Sequence, residues 1–195
     1  MKVCIFSGTF NPIHNLHIKV ANYVLEHFGF EKIIFIPAYM PPHKSYDLNL
    51  SNHRFNMVKL AISNNPKFEI SDIEFQRKGK SYTYLTVCEL YKKYKVDGKI
   101  NLVIGTDAFK EIESWYETDK LKQITDFIVF KRETGNDLNL DYLKAKGYNF
   151  TIAGMDFFDI SSTKLRQLVG ENKDIREFVP QEVERYIKEN GLYRN

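Results

Sequence analysis

The fold is decided by the stretch Val3-Cys4-Ile5-Phe6-Ser7-Gly8-Thr9-Phe10-Asn11-Pro12-Ile13-His14-Asn15-Leu16-His17, in which an apolar run leads into a helical pattern. Backbone N–H groups at a helix start are unpaired and carry the positive end of the helix dipole, so they attract anions such as phosphate. We expect Gly8 to adopt angles closed to other residues and to let a phosphate approach, while Pro12 stiffens the turn. With His14 and His17 as further hydrogen-bond donors, the stretch predicts a rigid phosphate cradle.

The same two histidines admit a second interpretation. His14 and His17 lie three residues apart on a predicted helix and are half of what a zinc site needs. No cysteine or carboxylate cluster in the sequence completes such a site. We therefore expect no metal ion bound by protein ligands.

A second helix start with anion-binding character lies at Ile160-Ser161-Ser162-Thr163-Lys164-Leu165-Arg166. Ser161 or Ser162 either caps the helix or, together with the N–H groups of the first turn, binds phosphate oxygens. Lys164 and Arg166 add positive charge, and a guanidinium can donate two parallel hydrogen bonds to a phosphate. Two such helix starts, far apart in the sequence, suit one triphosphate.

Bulk composition narrows the classes of protein and partner. The chain has 195 residues, of which 43% are hydrophobic, and this predicts a single domain over residues 1–195 with a proper core. The net charge is only +3 and no basic tract is present, so we expect small-molecule partners and no nucleic acid. The apolar runs are of strand length, which predicts no membrane span. Cys4 and Cys88, without a disulfide framework, are typical of a cytoplasmic protein.

Strand-like and helical patterns alternate along the chain, which predicts an α/β fold with a Rossmann-like, doubly wound parallel sheet. The first helix is expected from Asn15 to Phe28, with Gly29 as its stop. Ligands of such sheets bind beyond the carboxyl ends of the strands, where the first histidine stretch and Gly105-Thr106-Asp107 both fall. The six predicted strands run from Lys2 to Ser7, Lys32 to Pro37, Lys67 to Ser71, Ile100 to Gly105, Asp126 to Lys131 and Asn149 to Ala153.

Other segments keep two interpretations. Asp107 either holds a nucleotide hydroxyl or caps a helix from Ala108 to Ser114. Thr83 and Thr86 lie one turn apart, where their hydroxyls or nearby N–H groups can receive a carboxylate, or they are ordinary first-turn residues. Trp115, the only tryptophan, is either a partly buried core residue or a face on which a pyridine ring stacks. The amphipathic stretch Pro180 to Gly191 is expected to cover the sheet and nothing more.

The two helix starts resemble the T/H-x-G-H and I-S-S-T-x-x-R signatures of the nucleotidyltransferase superfamily. His14 and His17 match the signature histidines, and Leu16 stands where the pattern has glycine. The resemblance implies the nucleotidyltransferase type of the fold. It also implies attack on the α-phosphate of a nucleoside triphosphate.

The middle of the chain resembles the nicotinate-nucleotide adenylyltransferase family. Ile36-Pro37-Ala38-Tyr39-Met40-Pro41-Pro42-His43-Lys44 is similar to its I-P-x-x-x-P-P-H-K loop, and Arg54 with Met57 and Ala61 matches the helix that follows. Ser81-Tyr82-Thr83-Tyr84-Leu85-Thr86 is similar to S-Y-T-x-D-T, with Leu85 in place of the aspartate. Gly105-Thr106-Asp107, Trp115 and the stretch from Pro180 to Tyr193 match the remaining blocks, so the resemblance covers nearly the whole chain.

The resemblance implies adenylyl transfer from ATP, accompanied by Mg²⁺, to nicotinate mononucleotide, a step of NAD biosynthesis. A transferase that accepts nicotinamide mononucleotide and a nucleotide sensor without turnover remain alternatives, and a homo-oligomer is left open. The implied catalytic residues are His14, His17, Lys44 and Arg166. The implied ATP-binding residues are Gly8, Thr9, Phe10, His14, His17, Gly105, Asp107, Ile160, Ser161, Ser162 and Arg166. The implied residues for nicotinate mononucleotide are Lys44, Thr83, Thr86 and Trp115.

Overall fold

The sheet is parallel throughout the part of the chain that the computed structural model describes, residues 2–42, 47–131, 139–155 and 160–194. Its strands are β1 (Cys4–Gly8), β2 (Ile33–Pro37), β3 (Phe68–Ile70), β4 (Ile100–Gly105), β5 (Thr125–Phe130) and β6 (Phe150–Ala153). They lie in the order β3-β2-β1-β4-β5-β6. All six predicted strands and the doubly wound α/β class are confirmed.

Helices connect the strands. They are α1 (Asn15–Phe28), α2 (Leu48–Ile62), α3 (Ile73–Arg77), α4 (Thr83–Lys93), α5 (Thr106–Lys110), α6 (Thr118–Ile124), α7 (Asp141–Ala145), α8 (Ser162–Gly170) and α9 (Gln181–Glu189). The bounds of α1 are those predicted, and Gly29 ends it with a φ of 67° in the left-handed region. The helix predicted from Ala108 to Ser114 is wrong, because α5 begins earlier and a separate 3-10 turn, Ile112–Ser114, follows it.

Side chains alternate along each strand and point into two hydrophobic clusters, one on each face of the sheet. Cys4 and Phe6 point into one hydrophobic cluster, which α1, α2, α8 and α9 cover. Val3 and Ile5 point into the other, under α4 to α7. No helix among the described residues is long and apolar enough to cross a membrane.

The position of β1 creates a crevice. The chain runs from β1 outward to β2 and β3, then returns to place β4 on the other side of β1. Connections therefore leave β1 and β4 in opposite directions, and a cleft opens beyond their carboxyl ends. The turn that carries His14 and His17 follows β1, and α5 follows β4, so both predicted segments meet at this cleft.

Candidate active site

The turn after β1 has a different internal structure from the one its glycine suggested. Gly8 is the last residue of β1 and is not in the left-handed region, whereas Phe10 adopts a φ of 47°. A Cβ at Gly8 would lie 3.0 Å from Cζ of the Phe10 ring. The glycine therefore makes room for this ring, and the expectation that it adopts backbone angles closed to other residues is wrong.

Phe10 itself is a core residue. Its ring is 3% exposed and packs edge-on against Phe6 and His17, at centroid distances of 5.6 and 5.0 Å. The ring is thus not available to a nucleotide. Any contribution of Phe10 to ATP binding comes from its backbone.

Side chains from distant parts of the chain hold this turn. Arg166 Nη1 donates to the Asn11 carbonyl at 2.9 Å, and Ser162 Oγ donates to the Pro12 carbonyl at 2.9 Å. The two predicted signatures are therefore in direct contact, more than 140 residues apart in sequence. The structure brings them together as one site, and the second signature fixes the shape of the first.

The start of α1 is already hydrogen-bonded to protein. The Asn15 N–H donates to the Phe178 carbonyl at 2.8 Å, and the His14 N–H donates to Nδ1 of His17 at 3.2 Å. The His17 N–H in turn donates to the His14 carbonyl at 2.9 Å. The expectation that the N–H groups of this helix start are unpaired is therefore wrong for these three. The side chain of Leu16, at the position where the pattern has glycine, is 3% exposed and belongs to the core.

The two histidine rings lie against each other. Their centroids are 3.8 Å apart and their planes differ by 32°, with 0% of His14 and 8% of His17 exposed. Because Nδ1 of His17 accepts a backbone hydrogen, that nitrogen is unprotonated and Nε2 carries the hydrogen. His17 is thus set up as a donor through Nε2. ATP can touch His14 only after the surrounding atoms shift.

The start of α8 differs from the start of α1. Ser161 Oγ accepts from the Lys164 N–H at 3.2 Å, which confirms Ser161 as the N-cap. The N–H groups of Ser162 and Thr163 precede the first intrahelical hydrogen bond and point out of the helix end. Arg166 lies one turn further on, half-buried. Ile160 packs against the first hydrophobic cluster.

The segment after β4 reaches the same cleft. Gly105 is the N-cap of α5, and Asp107 is an exposed residue of its first turn. The interpretation of Asp107 as a helix cap is therefore wrong. Its carboxylate is left exposed at the carboxyl edge of the sheet, where a nucleotide hydroxyl can reach it.

Aromatic rings line the other side of the cleft. Trp115 is half-buried against the second hydrophobic cluster. The next residue, Tyr116, is 46% exposed and stacks on Tyr82 at 4.6 Å with an interplanar angle of 28°. Since Tyr82 is the N-cap of α4, this pair brings Trp115 and Thr83 to one place. The partial exposure of Trp115 is compatible with both interpretations of it.

Thr86 differs from Thr83. It is 0% exposed, its hydroxyl donates to Oε1 of Glu74 at 2.6 Å, and it accepts from Nη2 of Arg77 at 3.1 Å. Its N–H donates to the Tyr82 carbonyl at 3.2 Å. Direct binding of a substrate by Thr86 is therefore contradicted, because its polar groups are used inside the protein. Thr83, half-buried at the first position of α4, stays a candidate.

Buried polar residues that the sequence analysis did not assign to the site connect its two sides. Arg54, 3% exposed, donates to the Thr9 carbonyl at 2.7 Å, to the Tyr39 carbonyl at 3.2 Å and to Ser51 Oγ at 3.0 Å. Burial lowers the pKa of Arg54 to about 10, which leaves it a cation at neutral pH. The N–H of Tyr39 donates to Oε2 of Glu74 at 3.3 Å. The backbone of one residue, Tyr39, thus links the Arg54 side chain, which also holds the turn after β1, to Glu74.

In the sequence, Arg54 stands out only as part of a family pattern, and no motif includes Glu74. The available signal for Glu74 was an acidic residue between Ile73 and Phe75, next to apolar positions, where a carboxylate needs a partner. Lys44, the remaining predicted residue, lies outside the described residues. Within the described ranges, no group of three His, Cys, Asp or Glu side chains is arranged to hold a metal ion.

Comparison with known proteins identifies the family of this chain. A probable nicotinate-nucleotide adenylyltransferase of Caldicellulosiruptor saccharolyticus is 40% identical over 198 aligned positions, which cover 100% of both chains. The chain belongs to the nicotinate-nucleotide adenylyltransferase family. The nicotinate-nucleotide adenylyltransferase of Bacillus subtilis is 37% identical and aligns with 100% of this chain and 99% of its own. The family model described as cytidylyltransferase-like matches residues 5–168.

Solved structures of adenylyltransferases have the same fold. Nicotinic acid mononucleotide adenylyltransferase of Plasmodium falciparum, complexed with NaAD, superposes with a TM-score of 0.78. The alignment covers 98% of this chain and 97% of the other, at 24% identity. At this level of identity the likeness shows a common fold.

Proposed function

We propose that the protein transfers the adenylyl group of ATP to nicotinate mononucleotide and releases pyrophosphate. The observation that carries this proposal is identity of 35% to 40% with nicotinate-nucleotide adenylyltransferases over essentially the full length of both chains. The geometry supports it, because a cleft with helix starts and cations on one side and aromatic rings on the other suits a triphosphate facing a pyridine nucleotide.

In the proposed reaction, a phosphate oxygen of nicotinate mononucleotide attacks the α-phosphorus of ATP in line. The bond from the α-phosphorus to the bridging oxygen breaks, and pyrophosphate leaves with that electron pair. The nucleophile is already an anion, so no general base is needed. The task of the protein is to position the reactants and to stabilise charge on the transferring group and the leaving group.

ATP binds, in this proposal, at the start of α8. The N–H groups of Ser162 and Thr163 and the guanidinium of Arg166 receive phosphate oxygens, since Arg166 uses only part of its five donors on Asn11. His17 donates through Nε2 to the reacting phosphate. Asp107 and Gly105 meet the nucleoside at the end of β4. Mg²⁺ arrives with ATP, held mainly by phosphates and water.

Nicotinate mononucleotide binds on the side of α4. The pyridine ring stacks on Trp115, and the carboxylate is received by the first-turn N–H groups that begin with Thr83. Lys44, which lies outside the described residues, is proposed to neutralise phosphate charge. The free thiols of Cys4 and Cys88 support a cytoplasmic location for this step of NAD biosynthesis.

The test is pyrophosphate release from ATP and Mg²⁺ with three acceptors offered in parallel. These are nicotinate mononucleotide, nicotinamide mononucleotide and phosphopantetheine. We expect kcat/KM to be highest for nicotinate mononucleotide. A preference for nicotinamide mononucleotide would overturn the assigned acceptor while keeping the chemistry. ATP binding without pyrophosphate release from any acceptor would identify a sensor.

A further inference from the structure

The segment after α9, residues 190–194, folds back towards the turn after β1. Gly191 has a φ of 59°, and the Leu192 N–H returns to the Ile187 carbonyl at 3.0 Å. Tyr193 then adopts a φ of 63°, in the left-handed region that residues with a Cβ rarely occupy. Its hydroxyl donates to Oδ1 of Asn11 at 2.6 Å. This contact lies two residues beyond the stretch Pro180 to Gly191, which the sequence predicts to cover the sheet.

The contact lies at Asn11, a residue of the turn that is hydrogen-bonded to two later parts of the chain. Asn11 receives Tyr193 on its side chain and Arg166 on its carbonyl, so both of its acceptors are taken by later parts of the chain. The phenol also lies in the electrostatic range of Arg54 and Arg166. Burial raises the pKa of Tyr193 well above its usual range, so the hydroxyl keeps its hydrogen and remains a donor at neutral pH.

A second tyrosine in the same part of the chain makes a different contact. The hydroxyl of Tyr186, on α9, accepts from Nδ2 of Asn56 at 3.0 Å and is hydrogen-bonded to Nδ1 of His53 at 2.9 Å. Both partners belong to α2 and neither belongs to the turn after β1. Both tyrosines are therefore half-buried and hydrogen-bonded through their hydroxyls. Tyr193 contacts the turn after β1, whereas Tyr186 contacts α2.

We propose that Tyr193 is a positioning residue of the active site, which fixes Asn11 and through it the turn that leads to His14 and His17. The inference rests on the proposed function for its kinetic consequence. A turn that loses one of its fixed points places the histidines less accurately against the phosphates. Misplacement of this kind reduces the rate of the chemical step more than it reduces binding of the distant acceptor.

The experiment compares Tyr193→Phe with Tyr186→Phe, since each variant loses one hydroxyl and keeps its ring. We expect Tyr193→Phe to lower kcat about tenfold and to raise the Kd of ATP, with the KM of nicotinate mononucleotide changed by less than about twofold. Tyr186→Phe should lower the Tm at least as much as Tyr193→Phe does. It should leave kcat within about twofold of the parent. Equal kinetics in the two variants would overturn the proposal.

A double substitution tests the route through Asn11. If Tyr193 acts through this side chain, Tyr193→Phe has no further effect on kcat in an Asn11→Ala background. Independent, multiplicative losses would overturn that route. The Kd of ATP, measured by calorimetry without an acceptor, keeps the two proposals apart. A wild-type protein that binds ATP but does not react with nicotinate mononucleotide contradicts the proposed function, whereas an unchanged Kd and kcat in Tyr193→Phe contradict the inference alone.

Discussion

The two sides of the cleft are built by different means. On the side proposed to bind ATP (the ATP side), hydrogen bonds join segments that are far apart in the sequence, such as Ser162 with Pro12 and Tyr193 with Asn11. On the side proposed to bind the acceptor (the acceptor side), aromatic rings lie against each other, as in the stack of Tyr82 on Tyr116. The polar side chains of Glu74, Arg77 and Thr86 on this side are hydrogen-bonded to one another.

This difference matches two tasks, stabilisation of charge and selection of the acceptor. The ATP side holds donors at fixed positions, which is what stabilisation of a charged transition state requires. The acceptor side offers ring faces, which select a ligand by shape and stacking without strong charge. We therefore expect substitutions on the ATP side to lower kcat. Substitutions on the acceptor side should raise the KM of one substrate.

The largest effect is expected for His17→Ala. Loss of one preorganised donor to the reacting phosphate should lower kcat by about two to three orders of magnitude, by analogy with an oxyanion donor. Steady-state kinetics of pyrophosphate release, with circular dichroism to confirm the fold, measure it. His27→Ala is the matched control, because His27 is an exposed residue of the same helix and should leave kcat unchanged. Near-normal turnover in His17→Ala would remove His17 from the mechanism.

A smaller and more selective effect is expected for Trp115→Ala. Loss of a stacking face worth about 0.5 to 1.5 kcal/mol should raise the KM of nicotinate mononucleotide by up to about tenfold and leave the KM of ATP nearly unchanged. Trp115→Phe, which keeps an aromatic face, should show less of this effect. An equal rise of both KM values would instead identify a structural tryptophan and break the division between the two sides.

The sequence was sufficient for the fold and for the two signature segments that the structure brings into contact. Strand and helix periodicity located β1 to β6, and Gly29 marked the end of α1, because these features depend on local preference and on burial of one face. The order of strands placed the two histidines and Asp107 at one edge. Ser161 followed the rule for helix caps.

The sequence did not show the tertiary contacts that individual residues make. Gly8 is required by the position of the Phe10 ring, a tertiary contact that no local pattern describes. The N–H of Asn15 is bonded to Phe178, 163 residues away, so this donor of the helix start already has a partner in the protein. Tyr193 reaches Asn11 only through a left-handed backbone conformation at a non-glycine residue. Each of these facts depends on partners brought together by the whole fold.

Thr86→Val sharpens the comparison where the kinetic effect should be smallest. The substitution keeps the shape of the side chain but leaves Glu74 and Arg77 without the hydroxyl between them, and a buried polar group that loses its partner costs about 1 to 3 kcal/mol. We expect a lower urea midpoint, with the KM of nicotinate mononucleotide within about twofold of the parent. Thr83→Val, at the half-buried start of the same helix, is the comparison and should lose less stability. A large rise of this KM in Thr86→Val at unchanged stability would show that Thr86 contacts the substrate directly, and that the buried network on the acceptor side opens when the substrate binds.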